Sequence, residues 1–317
     1  MSGRSELTLA DGVRLRVETT GPADAPVTVV LLHGWCLDRR TWHHQITALE
    51  DAGARVVSYD ARGHGRSSAT RLRSATLAQL GDDLAEVLRE YAPAGPIVLA
   101  GHSLGGMTIM EFAETYPQEF AGRVAGLVFV STTAEGVTHT RYGLPHPLAP
   151  VLRIAEEAGA GLLARLGAWR PHSAMLPVLR PTVRWLLFGA DYEPTDLEIT
   201  MSAFGRASLR SIGGFRASVG AQHRLDTLAA LGDVPAAALV GDRDRLTPPP
   251  CAESIAEALA GTELTVCAGA GHMLMMERPD EVSAALLAVV ERAAASSPNR
   301  RADPRGRTER NGYDQAA

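Results

Sequence analysis

Six short, mostly apolar runs constrain the fold most: VTVVLL (27–32), RVVSYD (55–60), PIVLAG (96–101), VAGLVFVS (124–131), AAALVG (236–241) and LTVCAG (264–269). A strand with one wet face alternates apolar and polar residues. Runs that do not alternate need cover on both faces, as strands inside a parallel sheet have. Between them lie stretches with apolar residues at helical spacing: TWHHQITALEDA, TLAQLGDDLAEVLREY, LGGMTIMEFAETY, CAESIAEALA and PDEVSAALLAVVERAA. This alternation predicts an α/β fold, a mostly parallel sheet flanked by helices. The opening ELTLADGVRLRVETTG reads instead as two alternating strands joined at Asp11-Gly12.

One interval breaks the rhythm. Residues 134–226 carry no strand signal, several helix-like segments, many prolines and 7 of the 16 aromatic residues. Such a span is far longer than an ordinary connection, and it predicts a helical cap inserted into a core made of residues 1–133 and 227–295. Residues 296–317 are polar and aperiodic, which predicts a disordered tail.

At 317 residues the chain can bury a large core without disulfides. Its cysteines, Cys36, Cys251 and Cys267, are odd in number and lack CxxC spacing. They fit a reducing, cytoplasmic setting better than a disulfide framework or a structural zinc site. A net charge of -5, with every basic residue an arginine, gives no reason to expect a nucleic-acid partner. No apolar run is long enough to predict a signal peptide or a membrane span. No HExxH or His/Cys cluster is visible in the sequence, so neither a metal nor an organic cofactor is expected. Composition does not set the oligomeric state.

The segment Gly101-His102-Ser103-Leu104-Gly105 lies where a strand gives way to a helix. A sharp turn there would lift Ser103 off the sheet edge, with the flanking glycines keeping bulk away. A serine hydroxyl is a weak nucleophile and needs a base, and the base needs an orienting acid. His272, in LTVCAGAGHMLMMERP, follows a strand and a glycine-rich loop and is the candidate base. For the acid, GDRDRLTPP offers Asp244 as first choice, with Asp242 read as a turn residue and Glu135 as a weaker alternative.

The order Ser103…Asp244…His272, with LLHGW (31–35), YDARGHGRS (59–67) and AGHSLGG (100–106), resembles the α/β-hydrolase fold superfamily, in its serine-nucleophile subgroup with a helical cap. The resemblance spans residues 6 to about 294 and is specific for the fold rather than the reaction. It implies an oxyanion hole built from the backbone N–H groups of Trp35 and Leu104. It implies structural roles for His33, His64 and His102, and Cys36 is read as a small apolar filler. Haloalkane dehalogenases and epoxide hydrolases of this fold carry an aspartate where Ser103 stands. The expected activity is therefore hydrolysis of a carboxylic ester or lactone of a small, largely apolar molecule through an acyl-enzyme. Cofactor-free haloperoxidase or perhydrolase chemistry, carbon–carbon bond hydrolysis and a non-catalytic ligand-binding role are the alternatives. Trp169, Trp185, Phe188, Phe204 and Phe215 are expected to help line the pocket, with Met273, Met275 and Met276 below it. No acidic cluster marks the cap, which disfavours a strongly cationic substrate.

Overall fold

The strands, in chain order, are β1 (Gly3–Thr8), β2 (Arg14–Thr20), β3 (Thr28–Leu32), β4 (Arg55–Asp60), β5 (Ile97–His102), β6 (Val124–Val130), β7 (Ala236–Gly241) and β8 (Glu263–Cys267). They belong to a computed structural model that describes residues 3–140, 142–143, 149–170 and 176–296. All eight form one sheet in the order β1-β2-β4-β3-β5-β6-β7-β8. β1 and β2 are antiparallel, β2 meets β4 antiparallel, and every other pairing is parallel.

Successive strand residues point to opposite faces, and both faces are covered. Val30 and Leu32 of β3 join one apolar layer, with Leu84, Leu88, Ile109 and Phe112. Val29 and Leu31 join the other, with Leu49, Val282, Leu286 and Val289. The covering helices are α1 (His43–Asp51), α2 (Leu77–Tyr91), α3 (Leu104–Thr115), α4 (Pro117–Arg123), α11 (Pro249–Ala258), α12 (Leu274–Glu277) and α13 (Pro279–Ser296). Thr76 starts α2, its side chain accepting from Gln79 N–H at 3.2 Å. Buried Arg62, just beyond β4, donates to both Asp83 oxygens on α2 and to Asp11 in the β1–β2 turn. The antiparallel hairpin is thereby tied to the parallel core.

β8 departs from expectation. It spans Glu263–Cys267 rather than 264–269, and four of its five residues are exposed. As the last strand in the sheet it pairs only with β7, a position that an apolar composition does not reveal. At five residues it is short, which limits its value as a template for strand addition.

Between β6 and β7 lie α5 (Ala149–Arg165), α6 (Leu176–Leu187), α7 (Pro194–Phe204), α8 (Leu209–Gly214), α9 (Arg216–Gly220) and α10 (Leu225–Ala229), with no strand among the described residues. No helix among the described residues is long and apolar enough to cross a membrane. The tail expected at 296–317 lies outside the described residues, except Ser296, which ends α13.

Candidate active site

β5 ends at His102 and α3 begins at Leu104, so Ser103 alone makes the turn. Its backbone sits at φ 50, ψ -115, a region that costs a non-glycine residue about 1–3 kcal/mol. The surroundings hold it there. Ser103 N–H donates to Val130 O at 3.0 Å, and its own carbonyl accepts from Gly106 N at 2.9 Å and Thr132 Oγ1 at 2.7 Å. The flanking glycines answer to close approach of strand and helix. A Cβ on Gly101 would lie 2.4 Å from Gly106 N, and one on Gly105 would lie 2.3 Å from Leu32 O. The Ser103 side chain makes no capping bond to α3 and reaches a cavity.

Two loops at the same end of the sheet bring in the other candidates. After β7, Asp244 Oδ1 accepts from the N–H groups of Leu246 and Thr247, each at 2.9 Å. Its Oδ2 accepts from Thr247 Oγ1 at 2.9 Å and meets His272 Nδ1 at 2.8 Å. Both side chains are buried. A carboxylate facing Nδ1 puts the hydrogen there and leaves Nε2 as the basic nitrogen of a ring that lines the same cavity as Ser103. The other acids are engaged elsewhere: Asp242 Oδ1 accepts from Gly269 N–H at 2.7 Å, and Glu135 pairs with His139 at 3.0 Å.

The sequence reading gave Glu277 no role. Its oxygens accept from Gly271 N–H, at 3.0 Å each, and one also accepts from Gly189 N–H at 2.7 Å. The loop before His272 is thus fastened to the chain leaving α6. The N–H groups of His272 and Met273 also donate to Leu187 O at 2.8 and 3.0 Å. Burial pushes the Glu277 carboxyl above its usual range, against the pull of these N–H groups. An acid five residues after a histidine has no sequence signature that would have singled it out.

His33, His64 and His102 each hydrogen-bond to backbone groups. His33 donates from Nδ1 to Gly34 O at 2.8 Å and accepts at Nε2 from Ala61 N–H at 2.9 Å, joining the loops after β3 and β4. His64 meets Arg62 O through Nδ1, and burial lowers its pKa to about 3. His102 donates from Nε2 to the His272 carbonyl at 2.9 Å. Trp35 Nε1 donates to Ser211 O at 2.9 Å, anchoring the loop after β3 to α8. Leu104 is the first residue of α3, where an N–H has no acceptor within the helix. Cys36 also lines the cavity, and burial pushes its thiol up to about 12, far from a thiolate.

The cavity encloses about 480 Å³ between the sheet's end and the inserted helices, and its lining is largely apolar. Trp185 and Phe204 line it. The other expected lining residues do not. Trp169 is 54% exposed on the outer surface, its carbonyl accepting from Leu209 N–H. Phe188 and Met273 are buried in the apolar layer on the α1–α13 side, with Met275 and Met276. Phe215 packs under the insertion against Leu77, Leu80 and Met107. Apolar character marked the phenylalanines and methionines for burial, and packing against the core claimed them, while Trp169 stays at the surface. Arg216 and Glu156, absent from the expected set, also line the cavity as an ion pair at 2.9 Å, with Tyr142 OH bonded to Glu156.

Comparison with known proteins agrees with this architecture. The model of the alpha/beta hydrolase family matches residues 29–285. The chain is 30% identical over 310 residues to epoxide hydrolase A of Mycobacterium tuberculosis, covering 87% of this chain and 94% of that one. It is 36% identical over 113 residues to a bifunctional esterase/perhydrolase of Acinetobacter calcoaceticus, covering 36% and 40% of the two chains. Among solved structures it is similar to a thermophilic esterase from Thermogutta terrifontis, with TM-score 0.73 and 26% identity over 92% of this chain and 99% of that one. With a matched model spanning the sheet from β3 to α13, the chain belongs to the alpha/beta hydrolase family.

Proposed function

We propose that the protein is a serine hydrolase that cleaves a carboxylic ester or lactone of a small, largely apolar molecule through an acyl-enzyme. The observation that carries this reading is the 2.8 Å contact of Asp244 with His272, whose ring lines a cavity shared with Ser103 at its strained turn. In the cycle, His272 Nε2 takes the Ser103 proton as Oγ attacks the carbonyl carbon. Asp244 holds the ring and stabilises the imidazolium. The tetrahedral oxyanion is met by the N–H groups of Trp35 and Leu104, where one such donor contributes about 2.7–4 kcal/mol. His272 returns the proton to the leaving alcohol, then activates water against the acyl-enzyme.

Residue 103 also argues against carrying over the epoxide chemistry in one relative's name. Serine attack on an epoxide would give an ether, with no carbonyl for water to attack. An ester carbonyl gives an acyl-serine that water can cleave. Residues 134–226 act as the cap over a core of 1–133 and 227–295, and the cavity beneath has the size of a small-molecule site. Arg216 is already opposed by Glu156 and Glu157, so this wall asks no charge of the substrate.

The test is turnover of a panel of chromogenic esters by the wild-type chain and by Ser103→Ala. Loss of the nucleophile lowers kcat by about three to six orders of magnitude. A variant as fast as wild type refutes the reading. Two equally inert proteins that still bind a ligand would favour a receptor instead.

A further inference from the structure

α7 forms part of the cavity wall through Thr200 and Phe204. One turn before Thr200, in the first turn of the helix, Asp196 is 1% exposed, and neither of its carboxylate oxygens has a hydrogen-bond partner among the described residues. A buried carboxylate is ordinarily met by N–H groups, hydroxyls or a cation. Asp196 instead faces the first two residues of α1. His43 Nε2 lies 3.4 Å from Oδ1 and His44 Nε2 lies 3.6 Å from Oδ2, with the two rings 3.9 Å apart. His43 Nδ1 is 3.1 Å from Arg40 O, so its hydrogen is used there and its Nε2 turns a lone pair toward the carboxylate. Lone pairs of nitrogen and carboxylate oxygen repel at this range unless a positive charge lies between them.

We propose that His43, His44 and Asp196 bind one divalent transition-metal ion of the zinc class. One ligand atom from each residue fits within 4.8 Å of the other two. Zinc bond lengths of about 2.0–2.2 Å at tetrahedral angles set neighbouring ligand atoms about 3.3–3.6 Å apart. The separations of 3.4 and 3.6 Å, each from one imidazole to a different oxygen of the carboxylate, bring both rings near that spacing, and a small rotation of the carboxylate would set one oxygen between them. Two imidazoles and one carboxylate suit zinc, nickel or copper, whereas magnesium and calcium prefer all-oxygen sets. Water completes the coordination, and the partly exposed histidines leave an entry path. The ion would join α1 of the core to α7 of the insertion, fixing the wall that carries Thr200 and Phe204. This site stands apart from Ser103 and does not depend on the ester reading. The sequence hid it because two adjacent histidines and a distant aspartate meet only when the helices pack.

The experiment titrates the chelator-treated full-length chain with zinc chloride by calorimetry, and follows melting with zinc or magnesium added. Wild type binds one zinc ion and melts higher with it, while magnesium has little effect. Outer partners of metal ligands are worth about 10–100-fold in affinity, so losing a ligand in His44→Gln or Asp196→Asn weakens binding by at least about tenfold. Should Asp196→Asn fail to fold, the partly exposed His44→Gln decides alone. Absence of zinc binding, binding unchanged in His44→Gln, or magnesium acting as strongly as zinc would each overturn the proposal.

Discussion

Glu277 fastens the loop that carries His272, the proposed base. Its carboxylate receives Gly271 N–H, one residue before His272, and Gly189 N–H from the chain leaving α6. Glu277→Ala strands two backbone donors, each costing about 1–3 kcal/mol if it stays buried. We expect a lower melting temperature and a kcat that falls more than KM rises, because the loop would no longer fix the imidazole. Glu277→Gln, which keeps one acceptor, should recover part of both, and equal kcat in all three proteins would remove Glu277 from any positioning role. At this scale the sequence was informative where geometry is local. Ser103 could be read from its flanking glycines and its place between strand and helix. The stretch GDRDRLTPP put Asp244 ahead of Asp242, but the meeting of two loops that brings Asp244 to His272 is not encoded in one short stretch of chain.

Among the elements, the two phenylalanines of the insertion separate lining from packing. Phe204, ending α7, lines the cavity, and Phe215, between α8 and α9, is fully buried. Phe204→Ala removes apolar contact worth about 1.5–3 kcal/mol, so KM for an apolar acyl ester should rise roughly tenfold or more with little change in melting. Phe215→Ala should instead cost about 3–5 kcal/mol of stability in denaturant unfolding. Reversed effects would mean that the cavity wall is misplaced. Helical periodicity shows that a face is apolar, but not whether protein, ligand or water covers it. That is why six of the eight expected lining residues lie elsewhere. The short turn before α1 gives a pH-dependent case. Burial alone would raise the Asp38 carboxyl, yet the Arg40 guanidinium and N–H hold it below its ordinary value of 3.8. A lowered folded value contributes stability above pH 3.8, and that contribution is lost as pH falls through the lower value. Asp38→Asn should therefore cost about 1–2 kcal/mol at neutral pH, with the gap to wild type closing in acid. A gap unchanged down to the lowest pH at which both fold would contradict this.

For the molecule as a whole, backbone strain gathers around the cavity. Among the described residues four non-glycine residues have positive φ: Cys36, Ser103, Ser131 and Tyr142. Three line the cavity, and Ser131 precedes Thr132, which bonds the Ser103 carbonyl. A regular sheet with apolar layers on both faces supplies the rigidity that keeps such conformations populated. The sheet was legible because continuous apolar strands have few alternatives, whereas the arrangement of the inserted helices depends on contacts between distant segments. The most direct test of the central claim is to treat the full-length chain with a fluorophosphonate and locate the adduct by mass spectrometry. The account predicts one stoichiometric adduct on Ser103, strongly reduced in His272→Ala. An intact protein after prolonged treatment, or an adduct on another residue with Ser103 unmodified, would contradict it.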